Sequence, residues 1–121
     1  MPYDKDNIFA KILRGEIPCE KIAENDHALA FYDINPQAPQ HALVIPKGAY
    51  VSFAEFSAQA SAAEMGDWLA LVGEVARQLG VEESGYRLIV NTGRDARQDV
   101  PHLHIHIVGG KDLQHMLPAN A

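Results

Sequence analysis

The sequence predicts a single domain in which five short β-strands accompany one long helix and a short helix near the N-terminus. Three observations predict this mixed architecture. The chain has 121 residues, 47% of them hydrophobic, which is enough for one core. Residues 61–79 place apolar side chains at helical spacing. Several short apolar segments are bounded by turn-forming residues, as strands are, and the last of them alternates strictly.

The first part of the chain predicts a helix followed by a hairpin. Asp6 or Asn7 can cap a helix that runs through Arg14, with apolar residues on one face. Residues 21–24 and 28–34 have the composition of two strands joined by a tight polar turn. We therefore expect these two strands to pair with each other.

The middle of the chain predicts a buried strand and the long helix. Residues 41–46 are nearly all apolar, so this third strand is expected at the centre of a sheet, covered on both sides. Residues 50–57 are ambiguous and include a possible short helix. Ser61 and Glu64 form a capping-box pattern at the start of the long helix.

The last part of the chain predicts two strands around a polar loop. Residues 86–91 and 102–108 are the fourth and fifth strands. The loop at 92–101 contains a glycine and two arginines, whose N–H groups are suitable phosphate donors, although a solvated hairpin loop explains them equally well. The tail at 111–121 is expected to be irregular.

The fifth strand carries histidines at every second position. His102, His104 and His106 alternate with apolar residues, so the three imidazoles should share one face while their neighbours enter the core. An outer face without chemistry and a metal site are the alternatives. The outer two Cα atoms would lie roughly 13 Å apart, so all three could bind one zinc ion only if the strand bends. A central histidine between two supporting ones fits this spacing better.

One acidic residue allows two interpretations. Asp33 ends the second strand beside a loop with two prolines. Its carboxylate could simply stabilise a turn, or it could accept hydrogen bonds from a sugar diol.

The composition excludes several classes of function. A net charge of −6 disfavours binding to nucleic acid or to anionic membranes. The single cysteine, Cys19, cannot form an internal disulfide, which predicts a reducing, cytoplasmic location. Neither a signal peptide nor an apolar stretch long enough to cross a membrane is evident.

The histidine strand, His102–Val108, resembles the signature of the histidine triad (HIT) family, in which three histidines alternate with apolar residues. Other segments are similar to the Hint branch of that family, the nucleoside phosphoramidate hydrolases. These segments are Asp33–Pro39, His41–Pro46, Val90–Gly93, Gln98–His106 and Gly109–Gly110. The resemblance extends from about Asn7 to Gly110.

The resemblance implies an α+β fold with a five-stranded antiparallel sheet, one long helix and a short N-terminal helix. It also implies a homodimer that continues the sheet and a purine nucleotide as the ligand, with no metal or other cofactor required. Two alternatives remain at this point: a nucleotide-binding or scaffold protein without catalysis, and a zinc protein that uses the histidine row.

The resemblance also implies a role for each site residue. His104 would be the nucleophile, His102 and His106 would flank it, and His41 would be a fourth histidine nearby. Residues implied at the phosphate end are Asn91, Gln98, Asp99, Val100 and His106. Residues implied around the ribose and the base are Asp33, Ile34, Ile8, Phe9, Ile12, Phe31 and Leu43.

Two residues depart from the pattern of the family. Arg97 stands where Hint proteins usually have glycine, and Asp99 stands where several have serine near the leaving group. An ionised Asp99 cannot donate a hydrogen bond and would repel a nearby phosphate. This departure therefore concerns the leaving group rather than the nucleophile.

Overall fold

A computed structural model describes residues 2–117 and confirms the predicted α+β fold. The helices are α1 (Ile8–Leu13), α2 (Phe53–Gln59) and α3 (Ala62–Gln78). The strands are β1 (Lys21–Glu24), β2 (Ala28–Tyr32), β3 (Gln40–Pro46), β4 (Tyr86–Ile89) and β5 (Ile105–Gly109). Residues 111–117 of the tail form no helix or strand, and residues 118–121 of the predicted tail lie outside the described part.

Helices α1 and α3 begin at side-chain caps that satisfy otherwise unpaired backbone N–H groups. Of the two candidates for α1, Asn7 is the cap, because its side chain accepts a hydrogen bond from the N–H of Ala10. Helix α3 has the complete capping box between Ser61 and Glu64. The ambiguous segment after β3 contains the seven-residue helix α2.

The five strands form one antiparallel sheet in the order β1-β2-β3-β5-β4. Strand β3 lies at its centre, and residues 41–46 are all buried, as the apolar sequence predicted. Helix α3 covers one face of the sheet, where Trp68 donates a hydrogen bond to the backbone carbonyl of Val44 at 3.0 Å. The opposite face carries α1 and a second apolar cluster around Phe9 and Phe31.

The register between β3 and β5 decides which face the histidines occupy. His106 pairs with Leu43, whose side chain lies on the α1 face, and Ile105 pairs with Val44, which lies in the core under α3. Paired residues of an antiparallel ladder project to the same face. The alternation therefore places His106 on the α1 face and its apolar neighbours in the core.

Three of the predicted strands, the second, fourth and fifth, are longer than the observed ones. Strand β2 ends at Tyr32, β4 ends at Ile89, and β5 begins only at Ile105. The late start of β5 has a physical reason, since the carbonyl of Pro46 is bonded to the ring of His102. His102 and His104 thus precede the strand, although both rings still lie beside Phe9 on the α1 face.

None of the helices described for residues 2–117 is long and apolar enough to cross a lipid bilayer.

Candidate active site

A cleft of about 510 Å³ lies between α1 and the sheet, a size typical of small-molecule sites. All residues predicted for the base slot line it: Ile8, Phe9, Ile12, Phe31, Ile34 and Leu43. The polar or reactive end is lined by Asp33, Asp99, Val100, His104 and His106. The sequence did not single out further lining residues, which are Ile17, Pro18, Cys19, Glu20, Tyr32 and Asn35.

His104 faces this cleft with a defined tautomer. Its Nδ1 lies 2.8 Å from the backbone carbonyl oxygen of His102, which can only accept a hydrogen bond. Nδ1 therefore carries the proton, and in the neutral ring Nε2 keeps its lone pair. The side chain is only 3% exposed, so the protein holds the ring firmly against the wall of the cleft. Such a ring is oriented as a nucleophile.

His41 and His106 form a chain whose proton positions can also be derived. The backbone N–H of Gln37 donates to Nδ1 of His41 at 3.0 Å, so the proton of a neutral His41 is on Nε2. That Nε2 lies 2.9 Å from Nδ1 of His106 and donates to it. The proton of His106 is consequently on Nε2, where it can be donated to a ligand.

Burial keeps this pair neutral. Loss of hydration, together with the nearby His104 and His41, lowers the pKa of His106 to about 4. Burial also lowers the pKa of His41, against the opposing effect of the Asp33 carboxylate. Near neutral pH, His106 is therefore a neutral hydrogen-bond donor rather than a cation.

His102 does not contribute its side chain to the cleft. The ring is fully buried, with Nε2 2.8 Å from the carbonyl of Pro46 and Nδ1 2.5 Å from the hydroxyl of Tyr3. Since Nε2–H donates a hydrogen bond to this carbonyl, Nδ1 is unprotonated in the neutral ring and accepts a hydrogen bond from the hydroxyl of Tyr3. Burial lowers the pKa of His102 to about 4. The resemblance implies that His102 flanks His104; in the structure both of its ring nitrogens are engaged within the protein, and its backbone carbonyl orients His104.

Asp33 lies between a turn and the cleft. Its position fits the turn-stabilising interpretation and leaves it able to bind a diol, as the other interpretation requires. One carboxylate oxygen accepts a hydrogen bond from the N–H of Asn35 at 2.8 Å. The other oxygen lies 3.3 Å from Nε2 of His41. The carboxylate thus stabilises the loop and still borders the cleft, where a diol could reach it.

Two of the residues expected at the phosphate end lie elsewhere. The Gln98 amide donates to the carbonyls of Val51 and Val100 and accepts from the N–H of Gly93, so it holds the loop together. Asn91 is half-buried after β4 and, like Gln98, does not border the cleft. The two arginines of the loop are exposed and do not border it either.

The backbone at Arg97 explains one departure from the family pattern. Its φ is +54°, in the left-handed region that glycine occupies without cost. An L-residue there costs roughly 1 kcal/mol, and the adjacent Gln98 interactions offset that cost by fixing the loop. Arg97 therefore adopts a backbone conformation that glycine also favours.

Asp99 is the second departure, and it lies beside His104. Its Oδ1 accepts a hydrogen bond from the N–H of Val100 at 2.9 Å and lies 3.4 Å from Nε2 of His104. The side chain is 75% exposed, so it stands at the open mouth of the cleft.

Potential metal ligands converge at one place in residues 2–117. The ligand atoms of Asp33, His41 and His106 lie within 4.8 Å of one another. A zinc site that used all three histidines of the row would require His102 to break one of its two hydrogen bonds, whereas His104 and His106 both border the cleft. A metal at the observed group would have to replace the hydrogen bond between His41 and His106.

Known proteins resemble this chain over nearly its full length. The sequence profile of the HIT domain matches residues 14–113. The chain belongs to the HIT family. A HIT-like protein of Azospirillum brasilense is 60% identical over 95% of this chain and 94% of its own length. The purine nucleoside phosphoramidase of Escherichia coli K12 is 42% identical over 93% of this chain and 94% of its own.

Solved structures of HIT proteins have the same fold. The HIT family hydrolase from Clostridium thermocellum has a TM-score of 0.87 at 38% identity, covering 94% of this chain and 99% of its own. The histidine triad nucleotide-binding protein from Candida albicans has a TM-score of 0.82 at 33% identity, covering 96% of this chain and 85% of its own. The α+β fold of this chain is thus the fold of the solved HIT proteins, as its membership of the family requires.

Proposed function

We propose that this HIT protein hydrolyses purine nucleoside 5′-phosphoramidates, through a nucleotide bound covalently to His104, and releases AMP or the corresponding nucleotide. The observation that carries the proposal is the tautomer of His104, whose Nε2 lone pair faces the cleft. The phosphoramidase of Escherichia coli K12, 42% identical, supports this choice of substrate class.

The substrate would lie along the cleft with its base against α1. The apolar wall formed around Phe9, Phe31 and Leu43 suits a flat purine ring. Asp33 borders the same cleft and offers two acceptor oxygens to the ribose hydroxyls. This arrangement would place the 5′-phosphorus near the two cleft-facing imidazoles, whose ring centroids lie 5.1 Å apart.

The reaction would proceed in two displacements. In the first, Nε2 of His104 forms a bond to phosphorus, the P–N bond breaks, and the departing amine takes the bonding electrons and a proton. In the second, water attacks phosphorus and the bond to His104 breaks. The Nε2 proton of His106 would stabilise a phosphoryl oxygen throughout, since charge stabilisation and positioning dominate this class of reaction.

An early quench tests the covalent step. After rapid mixing with adenosine 5′-phosphoramidate, mass spectrometry should find an added AMP group on the peptide that contains His104. His104→Ala should lose both the adduct and turnover while still binding AMP. Exposed His115 provides the matched control, and His115→Ala should behave as the unaltered protein. Full activity of His104→Ala would refute the mechanism.

A binding protein without catalysis is the second candidate, and it predicts AMP binding without turnover. The zinc alternative predicts that EDTA lowers both activity and melting temperature, whereas the mechanism above predicts no effect.

The cytoplasmic location still rests only on the single cysteine.

A homodimer that continues the sheet is part of the same proposal. Strand β4 lies at one edge of the sheet, and its residue Leu88 is 46% exposed. An edge strand that carries an exposed apolar residue favours association with a second copy. Sedimentation at a mass near 13.3 kDa would contradict the dimer.

A further inference from the structure

The reactive end of the cleft is acidic. Among the described residues that line it there is no lysine or arginine, whereas Glu20, Asp33 and Asp99 all border it. A cleft that receives a phosphate ester would ordinarily offer a fixed cation. The acidic residue closest to the nucleophile is Asp99, 3.4 Å from Nε2 of His104.

The carboxylate of Asp99 is aimed inward and held there. The N–H of Val100 donates to its Oδ1 at 2.9 Å, which limits rotation of an otherwise exposed side chain. The same oxygen faces Nε2 of His104. In neutral His104 the proton is on Nδ1, so Nε2 and the Asp99 oxygen are both hydrogen-bond acceptors and cannot bond to each other. The only donor that this oxygen has among the described residues is the N–H of Val100, and the oxygen still faces Nε2.

A substrate can supply the missing positive charge. The phosphorus that Nε2 attacks would stand about 3 Å from that nitrogen, so groups on the leaving amine pass within several ångströms of Asp99. An ammonium group there would be attracted, and a carboxylate would be repelled. The charge of the leaving group then affects binding of the substrate before the P–N bond breaks.

We propose that Asp99 is a specificity-determining residue, which selects phosphoramidates whose leaving amine carries a second, positively charged group. The inference rests on the proposed function and narrows its substrate class. A purine nucleotide joined through nitrogen to a short diamine is the simplest substrate with this chemistry. The corresponding conjugate of an amino acid with a free carboxylate is the disfavoured counterpart.

Three conjugates with the same two-carbon spacer and different end groups test the selection. They are adenosine 5′-phosphoramidates of ethane-1,2-diamine, propylamine and β-alanine, with cationic, neutral and anionic tails. For the unaltered protein we expect kcat/KM to fall in that order, with about a tenfold ratio between the extremes, since each partly solvated charge contributes about twofold to fivefold. The ratio should shrink as salt is added.

Asp99→Asn is the informative variant, because its amide oxygen can still accept the hydrogen bond from Val100. The ratio between cationic and anionic conjugates should fall toward one. Asp95→Asn removes a charge from the same loop at a side chain that is 93% exposed and should keep the original ratio. Asp99→Ser provides a second variant without the charge. An unchanged ratio in both Asp99 variants, with turnover present, overturns the inference and leaves the proposed function standing.

A binding measurement separates the two proposals. The matching phosphodiesters of AMP, with oxygen in place of the P–N nitrogen, carry the same three tails and can be titrated by calorimetry. Tighter binding of the cationic ester, lost in Asp99→Asn, would support the inference even if no phosphoramidate were hydrolysed, in which case only the proposed function fails. Equal affinities together with no turnover would overturn both.

Discussion

His102 and His106 stand two residues before and two residues after His104, yet the fold uses them in opposite ways. The ring of His102 is buried beneath Tyr3 and the end of β3, with both nitrogens bonded within the protein. The ring of His106 borders the cleft and receives its hydrogen bond from His41, which leaves one N–H free for a ligand. Equal spacing in a sequence therefore predicts a shared face, but the neighbours of each ring determine what it can do.

The largest expected effect is on catalysis at the cleft side of this pair. His106→Ala removes the Nε2 proton that faces a phosphoryl oxygen, and we expect kcat to fall by about 10²- to 10³-fold. AMP should still bind, because the apolar wall and Asp33 are unchanged. Stopped-flow kinetics with adenosine 5′-phosphoramidate measures the loss. A kcat for His106→Ala within a factor of three of the unaltered protein would contradict a catalytic role of His106 that His102 lacks.

A pH series should reveal the buried side of the pair. The folded pKa of His102, about 4, lies below that of the unfolded chain, near 6.5. The unfolded state therefore binds more protons in this window, so stability is fully present above about pH 6.5 and is lost as pH falls toward 4. The loss attributable to His102 is roughly 3 kcal/mol.

Urea unfolding at several pH values between 7 and 4.5 measures this effect. His102→Gln, which does not titrate, should be less stable at pH 7 and should show a shallower dependence on pH. His115→Gln changes an exposed histidine and should keep the original slope. His106 contributes a slope of the same sign, since its pKa is also lowered to about 4. Parallel curves for His102→Gln and the unaltered protein would rule out this role of His102.

The smallest effect is expected at Tyr3. Tyr3→Phe removes the hydroxyl that donates to Nδ1 of His102, and we expect a destabilisation of about 1 kcal/mol. The value of kcat should change less than twofold, because Tyr3 contacts the buried histidine and not the cleft. Thermal unfolding and steady-state kinetics on the same sample check both statements. A large loss of kcat with unchanged stability would show that the buried histidine is coupled to catalysis.

Local patterns predicted the strands, the long helix and the face that the histidines share, because these depend on periodicity and on caps such as the one at Ser61. The start of β5 was not predictable, since it depends on a bond between the ring of His102 and the distant carbonyl of Pro46. The contact of Tyr3 with His102 was not predictable for the same reason, because the two residues are 99 positions apart in the sequence.

The apolar residues that the resemblance implies around the base line the cleft, and most of them belong to α1, β2 and β3, whose faces follow from their spacing. It placed Asn91 and Gln98 at the cleft, where neither lies. Gln98 is a polar residue in a loop, and only the folded backbone determines whether its amide faces a ligand or bonds within the loop.

The alignment of β3 with β5, which pairs Leu43 with His106, ties reactivity to correct folding. Sliding one strand past the other by a single residue would turn Ile105 and Ile107 toward the cleft and force His106 beneath α3. A misaligned molecule would bury an imidazole among aliphatic groups and display no nucleophile. Active chains and correctly paired chains are consequently the same population, so a titration of active sites would count natively folded molecules directly.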